Sequence, residues 1–300
     1  MIDTHFKVLV EGDHIKKLSA ARPVQAVAEL VWNSLDAEAT RVDVEMETSN
    51  FAAPTIRVSD NGHGIPHGEI KEAFGKLGGS WKAKSNRSKV KSRFLHGKEG
   101  QGRFKALALG RVVDWQIRYF DSGNLLSYKV SIIRDDPSDV IISEPAKIEH
   151  SFGSGVDVTI SELDRAYRSL ERDVALQSFS EILALYLNDY RDVKIFVSGN
   201  QLDPESAILS REKFDLSPII RGDQSYPTSL EVIEWKTTSE RLLFLCGEEG
   251  FPFHRIPLRI HTPGFPHSSY LKSDFISLLQ TEGTLELAEM NESLKQSYEI

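Results

Sequence analysis

The chain has 300 residues, 40% of them hydrophobic and 27% charged, and its 36 Lys and Arg against 44 Asp and Glu give a formal net charge of −8. That length buries a full core with room for two modest domains, and the acidic balance excludes a surface that binds nucleic acid everywhere while allowing a local basic patch. The single Cys246 excludes an intramolecular disulfide, neither cysteine clusters nor paired histidines suggest a structural zinc site, and no run approaches the roughly 20 apolar residues of a membrane span, so a soluble cytoplasmic protein with no membrane partner is expected.

In chain order, residues 5–10 alternate as a short edge strand, and Pro23 sits near the start of a helix that ends by about Ala39. Val24, Val27, Val31 and Leu35 form an apolar stripe on that helix, while Glu29, Asn33 and Asp36 share a separate polar face. Val42 to Met46 and Thr55 to Val58 read as strands, the second running into Asp60-Asn61-Gly62-His63-Gly64. A short helix is expected from Ile70 to Phe74, followed by a mobile loop over 75–97 that is rich in Gly, Ser, Lys and Arg. A helix begins after Gly102 and runs to about Leu109. Strands follow at Val112 to Tyr119, Leu125 to Ile133 and Val156 to Ile160, making a mainly antiparallel sheet. Residues 167–188 have loosely helical spacing, and Val193 to Val197 is the last strand of a first domain, 1–205. Leu230 to Trp235, Leu242 to Cys246 and Ile256 to Ile260 read as strands of a second, β-rich unit, 206–300, with a polar helix at its end. That unit reads as incomplete, one piece of a longer protein.

Three polar stretches carry the chemistry. Asn33 offers an amide oxygen suited to Mg²⁺, a cation that prefers hard oxygen ligands and shares its shell with phosphates. Glu29, one turn earlier, is placed to take a proton from water, and Asp60 at a strand end to accept a hydrogen bond from an exocyclic amine such as that of adenine. Gly62 and Gly64 let the backbone turn and approach a base without a Cβ clash. Gly100 and Gly102 precede a helix whose first amides hold anionic oxygens. The spacings fit neither the P-loop nor the Rossmann fingerprint.

Taken together, Glu29 to Asp36, Asp60 to Gly64 and Gly97 to Lys105 resemble the N-box, the Asp-x-Gly-x-Gly box and the second glycine box of the GHKL ATPases, a superfamily of gyrases, heat-shock chaperones, histidine kinases and MutL proteins. Arg22-Pro23 through Arg41 is very similar to MutL, and Gly79-Ser80-Trp81-Lys82 with Gly100 to Lys105 is similar to the microrchidia ATPases. The resemblance implies an α+β Bergerat fold followed by a small transducer-like unit. It implies Glu29 as general base, Asn33 as Mg²⁺ ligand, and Asp60, Gly62 and Gly64 around adenine, with Asp36 either a contact or a brace. Lys82 of an ATP lid over 75–97, and Gly100, Gln101, Gly102, Arg103, Phe104 and Lys105, would surround the phosphates. Arg103 and Lys105 compete for the phosphate contact, because the box holds one more residue here than in many relatives. Gly153 to Thr159 matches the last box, with the Thr159 hydroxyl supporting Asp60.

The function this implies is Mg-dependent ATP binding and slow hydrolysis, with lid closure switching an ATP-dependent homodimer or a partner between ATP and ADP states. DNA or a protein would be the client, in repair, chromatin-like remodelling or defence against phage. Between Lys71 and Lys105 stand eleven Lys and Arg against two Glu, a positive run that serves a triphosphate, a nucleic acid or only solvent. A nucleotide-sensing module or chaperone-like ATPase with negligible turnover is the competing reading. A histidine kinase catalytic domain ranks lower, since no helix with a phospho-accepting His precedes the N-box.

Overall fold

The structure is a computed structural model that describes residues 4–7, 22–49, 52–75, 102–236, 241–248, 250, 252–258 and 264–285. The chain is α+β and divides into two compact units, residues 1–179 with 191–202, and residues 180–190 with 203–300.

The first unit is built on a sheet of ten strands, β1 (Thr4–Lys7) to β10 (Asn200–Gln201), in the order β1-β6-β5-β4-β8-β3-β2-β9-β10, with β7 (Ala146–Lys147) beside β5. The others are β2 (Arg41–Ser49), β3 (Ala52–Asp60), β4 (Gly110–Asp121), β5 (Asn124–Ile133), β6 (Asp136–Ile142), β8 (Gly155–Leu163) and β9 (Lys194–Val197). All these pairings are antiparallel except β2 with β9. The period of two decides which face is dry. One register line runs Val197, Val44, Val58, Val158, Trp115, Val130, Ile142 across seven strands, and every residue on it is buried. One step along, Asp43, Ser59, Asp157, Gln116 and Lys129 line up on the opposite face. Sequence reading missed β6, whose Asp-Pro-Ser-Asp start carries turn residues and only three apolar ones at its end.

Among the described residues this unit has the helices α1 (Pro23–Asp36), α2 (Ile70–Gly75) and α3 (Gly102–Lys105), the last continued by a 3₁₀ turn at Ala106–Ala108. Phe74 of α2 meets Trp115 edge-on at 5.2 Å, so α2 lies on the dry face. A fourth helix, α4 (Arg172–Asp189), belongs to both units: its first part packs with Val27, Val44, Ile56 and Val197 through Ala175 and Phe179. The boundary expected at 205 puts all of α4 in the first unit, whereas packing groups residues 180–190 with the second.

The second unit contains α5 (Pro204–Ala207), a five-stranded sheet in the order β11-β12-β15-β13-β14, and α6 (Asp274–Thr281). Its strands are β11 (Ile208–Arg221), β12 (Gln224–Trp235), β13 (Leu242–Cys246), β14 (Pro252–Pro257) and β15 (His267–Lys272). Every residue of β13 is buried, because apolar side chains cover both faces. Leu243 and Leu245 pack with Phe275, Ile276 and Leu279, and Leu242, Phe244 and Cys246 with Ala184, Leu185, Trp235 and Tyr270. Cys246 is therefore a core residue, and burial raises its thiol pKa. The strand expected at Ile256 to Ile260 is instead Pro252–Pro257. Reading also missed β11, β15 and α6. The polar helix expected at the end of the chain lies outside the described residues beyond 285.

Candidate active site

Pro23 opens α1 at the position where a missing amide hydrogen is harmless. Val27, Val31 and Leu35 are buried as their spacing predicts, but so are Ala28, Leu30, Trp32 and Ser34. The reason is that α1 packs against α3 and its 3₁₀ continuation as well as the sheet. Glu29 and Asn33 remain half-buried and Asp36 is buried in the last turn. At the exit from the helix Glu38 adopts φ 61, and its carboxylate lies 3.1 Å from His63 Nε2.

Asp60 ends β3 beside this helix. Its Oδ2 accepts from Ser34 Oγ at 2.8 Å, and its Oδ1 accepts from Gly62 N at 2.8 Å and Val156 N at 3.2 Å. Hydrogen bonds to a charged acceptor contribute about 1.5–3 kcal/mol each, so three donors fix this carboxylate closely. Burial nonetheless raises its pKa above the ordinary value, outweighing the Gly62, Ser34 and Val156 donors, and the charge of Asp157 adds to the rise. Asn61 ties the same corner to the end of α1: its Oδ1 accepts from the amides of Thr40 and Arg41 at 2.9 Å each, and its Nδ2 donates to Thr40 Oγ1 at 2.9 Å.

The glycines are demanded first by the protein's own backbone. A Cβ on Gly62 would stand 2.7 Å from Ala37 O, and one on Gly64, at φ +70, only 2.0 Å from Arg118 O. Gly155, within the stretch matched to the last box but given no role of its own, has the same constraint: its Cβ would meet Asp60 O at 2.0 Å. The sequence signal was present in Gly153-Ser154-Gly155 at a strand start.

The second glycine box enters the described residues at Gly102. Gly100, Gln101 and Lys82, with the lid expected over 75–97 beyond Gly75, lie outside them, as does the side chain of Arg103. Phe104 is buried, so it offers a ligand its backbone, not its ring. Lys105 Nζ donates to Glu29 Oε1 at 2.6 Å, so one of the two residues competing for the phosphate contact meets the expected general base.

Thr159 requires a correction. It pairs with Arg57 on one side and Asp114 on the other, one step out of phase with buried Val158 and Ile160. Its side chain therefore leaves the sheet on the face opposite Val58 and Asp60, because successive side chains alternate. Ser34 and the Val156 amide do what Thr159 was expected to do. On that opposite face Asp157 bonds Arg118 and lies 3.2 Å from Arg57 Nη2. Burial would raise the Asp157 pKa, but Arg118, Ser59 and Arg57 together hold it below the ordinary carboxylate value.

Half-buried Asn33 has no side-chain hydrogen bond among the described residues, which suits an amide oxygen reserved for a cation. No group of three His, Cys, Asp or Glu side chains is arranged to hold a metal ion among the described residues. A Mg²⁺ bound through one protein oxygen and the substrate's phosphates fits this donor set better than a cage made by the protein alone. The cavity bounded by Val27, Val44, Ile56, Leu170 and Phe179 lies within the apolar layer and is lined by apolar side chains and Ser198, not by charged groups.

Residues 21–157 match the family described as histidine kinase-, DNA gyrase B- and HSP90-like ATPases. This segment, which contains α1, Asp60 and the Gly102–Lys105 turn, is similar to that ATPase class. Among curated proteins the chain is 53% identical over 53 residues to the DNA mismatch repair protein MutL of Halothermothrix orenii. It is 51% identical over 53 residues to the MutL of Shewanella pealeana and to that of Actinobacillus succinogenes. Each match covers 18% of this chain and 8% of the relative, so the similarity spans about a twelfth of the relatives' length. No helix among the described residues is long and apolar enough to cross a membrane.

Proposed function

We propose that the chain binds Mg·ATP between α1 and the Asp60 corner, hydrolyses it slowly, and uses closure of the 75–97 segment to switch dimerisation or partner binding. The observation that carries this reading is the Ser34–Asp60 hydrogen bond of 2.8 Å, which joins the helix of Glu29 and Asn33 directly to the carboxylate suited to adenine. In this reading Asp60 accepts from the exocyclic amine. Glu29 takes a proton from the water that attacks the γ-phosphorus, and the bond from that phosphorus to the ADP oxygen breaks. Asn33, together with the phosphates, would hold Mg²⁺, and the ion would supply neutralisation of charge on the phosphate oxygens. One carboxylate and a segment that must close make a slow engine.

The class of residues 21–157 supports ATP binding and a general ATPase role. The MutL relatives support, as a proposal, a clamp that closes around DNA or a protein client. Phosphate release and nucleotide binding measured on three proteins test the assignment. Glu29→Ala should lose turnover yet retain ATP, and Asp60→Asn should lose affinity for adenine nucleotides. Normal hydrolysis by Glu29→Ala would remove the catalytic role. The Glu29–Lys105 contact favours one second reading, a nucleotide sensor with negligible turnover, which absence of phosphate release with and without DNA would support.

A further inference from the structure

We propose that Lys105 is the positioning residue for Glu29 and couples the base to the terminal phosphate. Without nucleotide the Lys105 ammonium holds the Glu29 carboxylate; a triphosphate draws that ammonium away from it. The inference rests on the ATPase reading above and gives Lys105 a role that reading leaves open.

The two groups are 76 residues apart in sequence and 2.6 Å apart in the fold. They meet because α3 packs on α1, and α3 is one turn long, so Lys105 is the last residue of the second glycine box. While the pair is made, Glu29 Oε1 is occupied as an acceptor. An ammonium on a four-carbon stem has three rotatable donors, so it can change partner without moving the backbone. The pair is also open enough to yield, with 30% of the Lys105 side chain and 23% of the Glu29 side chain exposed. A γ-phosphate carries more negative charge than one carboxylate and therefore competes for the ammonium. ADP lacks that group and leaves the pair in place.

The test measures binding rather than turnover. Wild type, Glu29→Gln, Lys105→Gln and the double variant are titrated by calorimetry with Mg·ADP and with a non-hydrolysable ATP analogue, and melting temperatures establish that each is folded. The preference for the analogue over ADP should rise about two- to fivefold in Glu29→Gln, the range expected for releasing a partly exposed ion pair. Lys105→Gln should lower that preference, more strongly in the Glu29→Gln background than in wild type. An equal change for both nucleotides in Glu29→Gln overturns the proposal. So does a gain that persists in full in the Lys105→Gln background, since simple repulsion between carboxylate and phosphate would then account for it. Failure of wild type to bind either nucleotide would sink the ATPase reading and this proposal together. Tight binding without a preference shift would sink only the role given to Lys105.

Discussion

Asp60 carries two opposing pH effects. Its pKa is raised in the folded protein, so between the ordinary carboxylate value and the raised one the folded state holds more protons than the unfolded state. Its contribution to stability therefore falls as pH rises through that window. In the proposed reading Asp60 accepts from adenine as a carboxylate, so affinity should fall as pH drops through the same window. Melting temperature and ATP affinity followed against pH should thus move in opposite directions in wild type, and both dependences should flatten in Asp60→Asn. Gly155→Ala is expected to cost about 2 kcal/mol or more in urea unfolding, because its Cβ would lie 2.0 Å from the Asp60 carbonyl oxygen. At this scale Glu29, Asn33, Asp60 and the two glycines after it were legible as residue types at telling spacings. Ser34 and the Val156 amide were not, since a serine beside Asn33 and a backbone donor 96 residues from Asp60 gain meaning only by juxtaposition.

Between strands, the polar face of the large sheet is held by pairs that cross it. Asp157 takes Arg118 and Arg57 from the two neighbouring strands. Since its folded pKa is lowered, its stabilisation is present above the unfolded carboxylate value and is lost as pH falls through the folded one. Asp157→Asn should cost about 2 kcal/mol at neutral pH in chemical denaturation, and the difference from wild type should shrink in acid. The strand spacings made most of this sheet readable. Thr159 shows where reading stopped, because a residue's position in a box does not say which face the strand presents to the helix. Strand β11 was missed for another reason: it is mostly exposed and carries Arg, Glu, Lys and Asp, so no apolar alternation announces it.

For the whole molecule, α4 decides where the chain can be cut. Ala184 and Leu185 pack with Ile233, Trp235, Phe244 and Tyr270, and Tyr270 donates its hydroxyl to Glu181 O at 2.6 Å. A fragment ending at residue 205 would bare that side of the helix, so it should melt lower and aggregate more readily than the full chain; equal melting temperatures would contradict this. The clamp proposal predicts a shift to a dimer with a non-hydrolysable ATP analogue and none with ADP, read by light scattering after size exclusion. An unchanged mass would favour the sensor.

The sequence alone determined which candidate groups share a face, because helical period three and four places an acid and an amide together and glycines mark the backbone that must turn tightly. It also determined an antiparallel sheet, through strands that alternate every second residue. Only the tertiary structure decided which groups meet: Ser34 with Asp60, Lys105 with Glu29, Thr159 on the far face. Those contacts depend on the register of neighbouring strands and the packing of one helix on another, and local spacing carries no information about either.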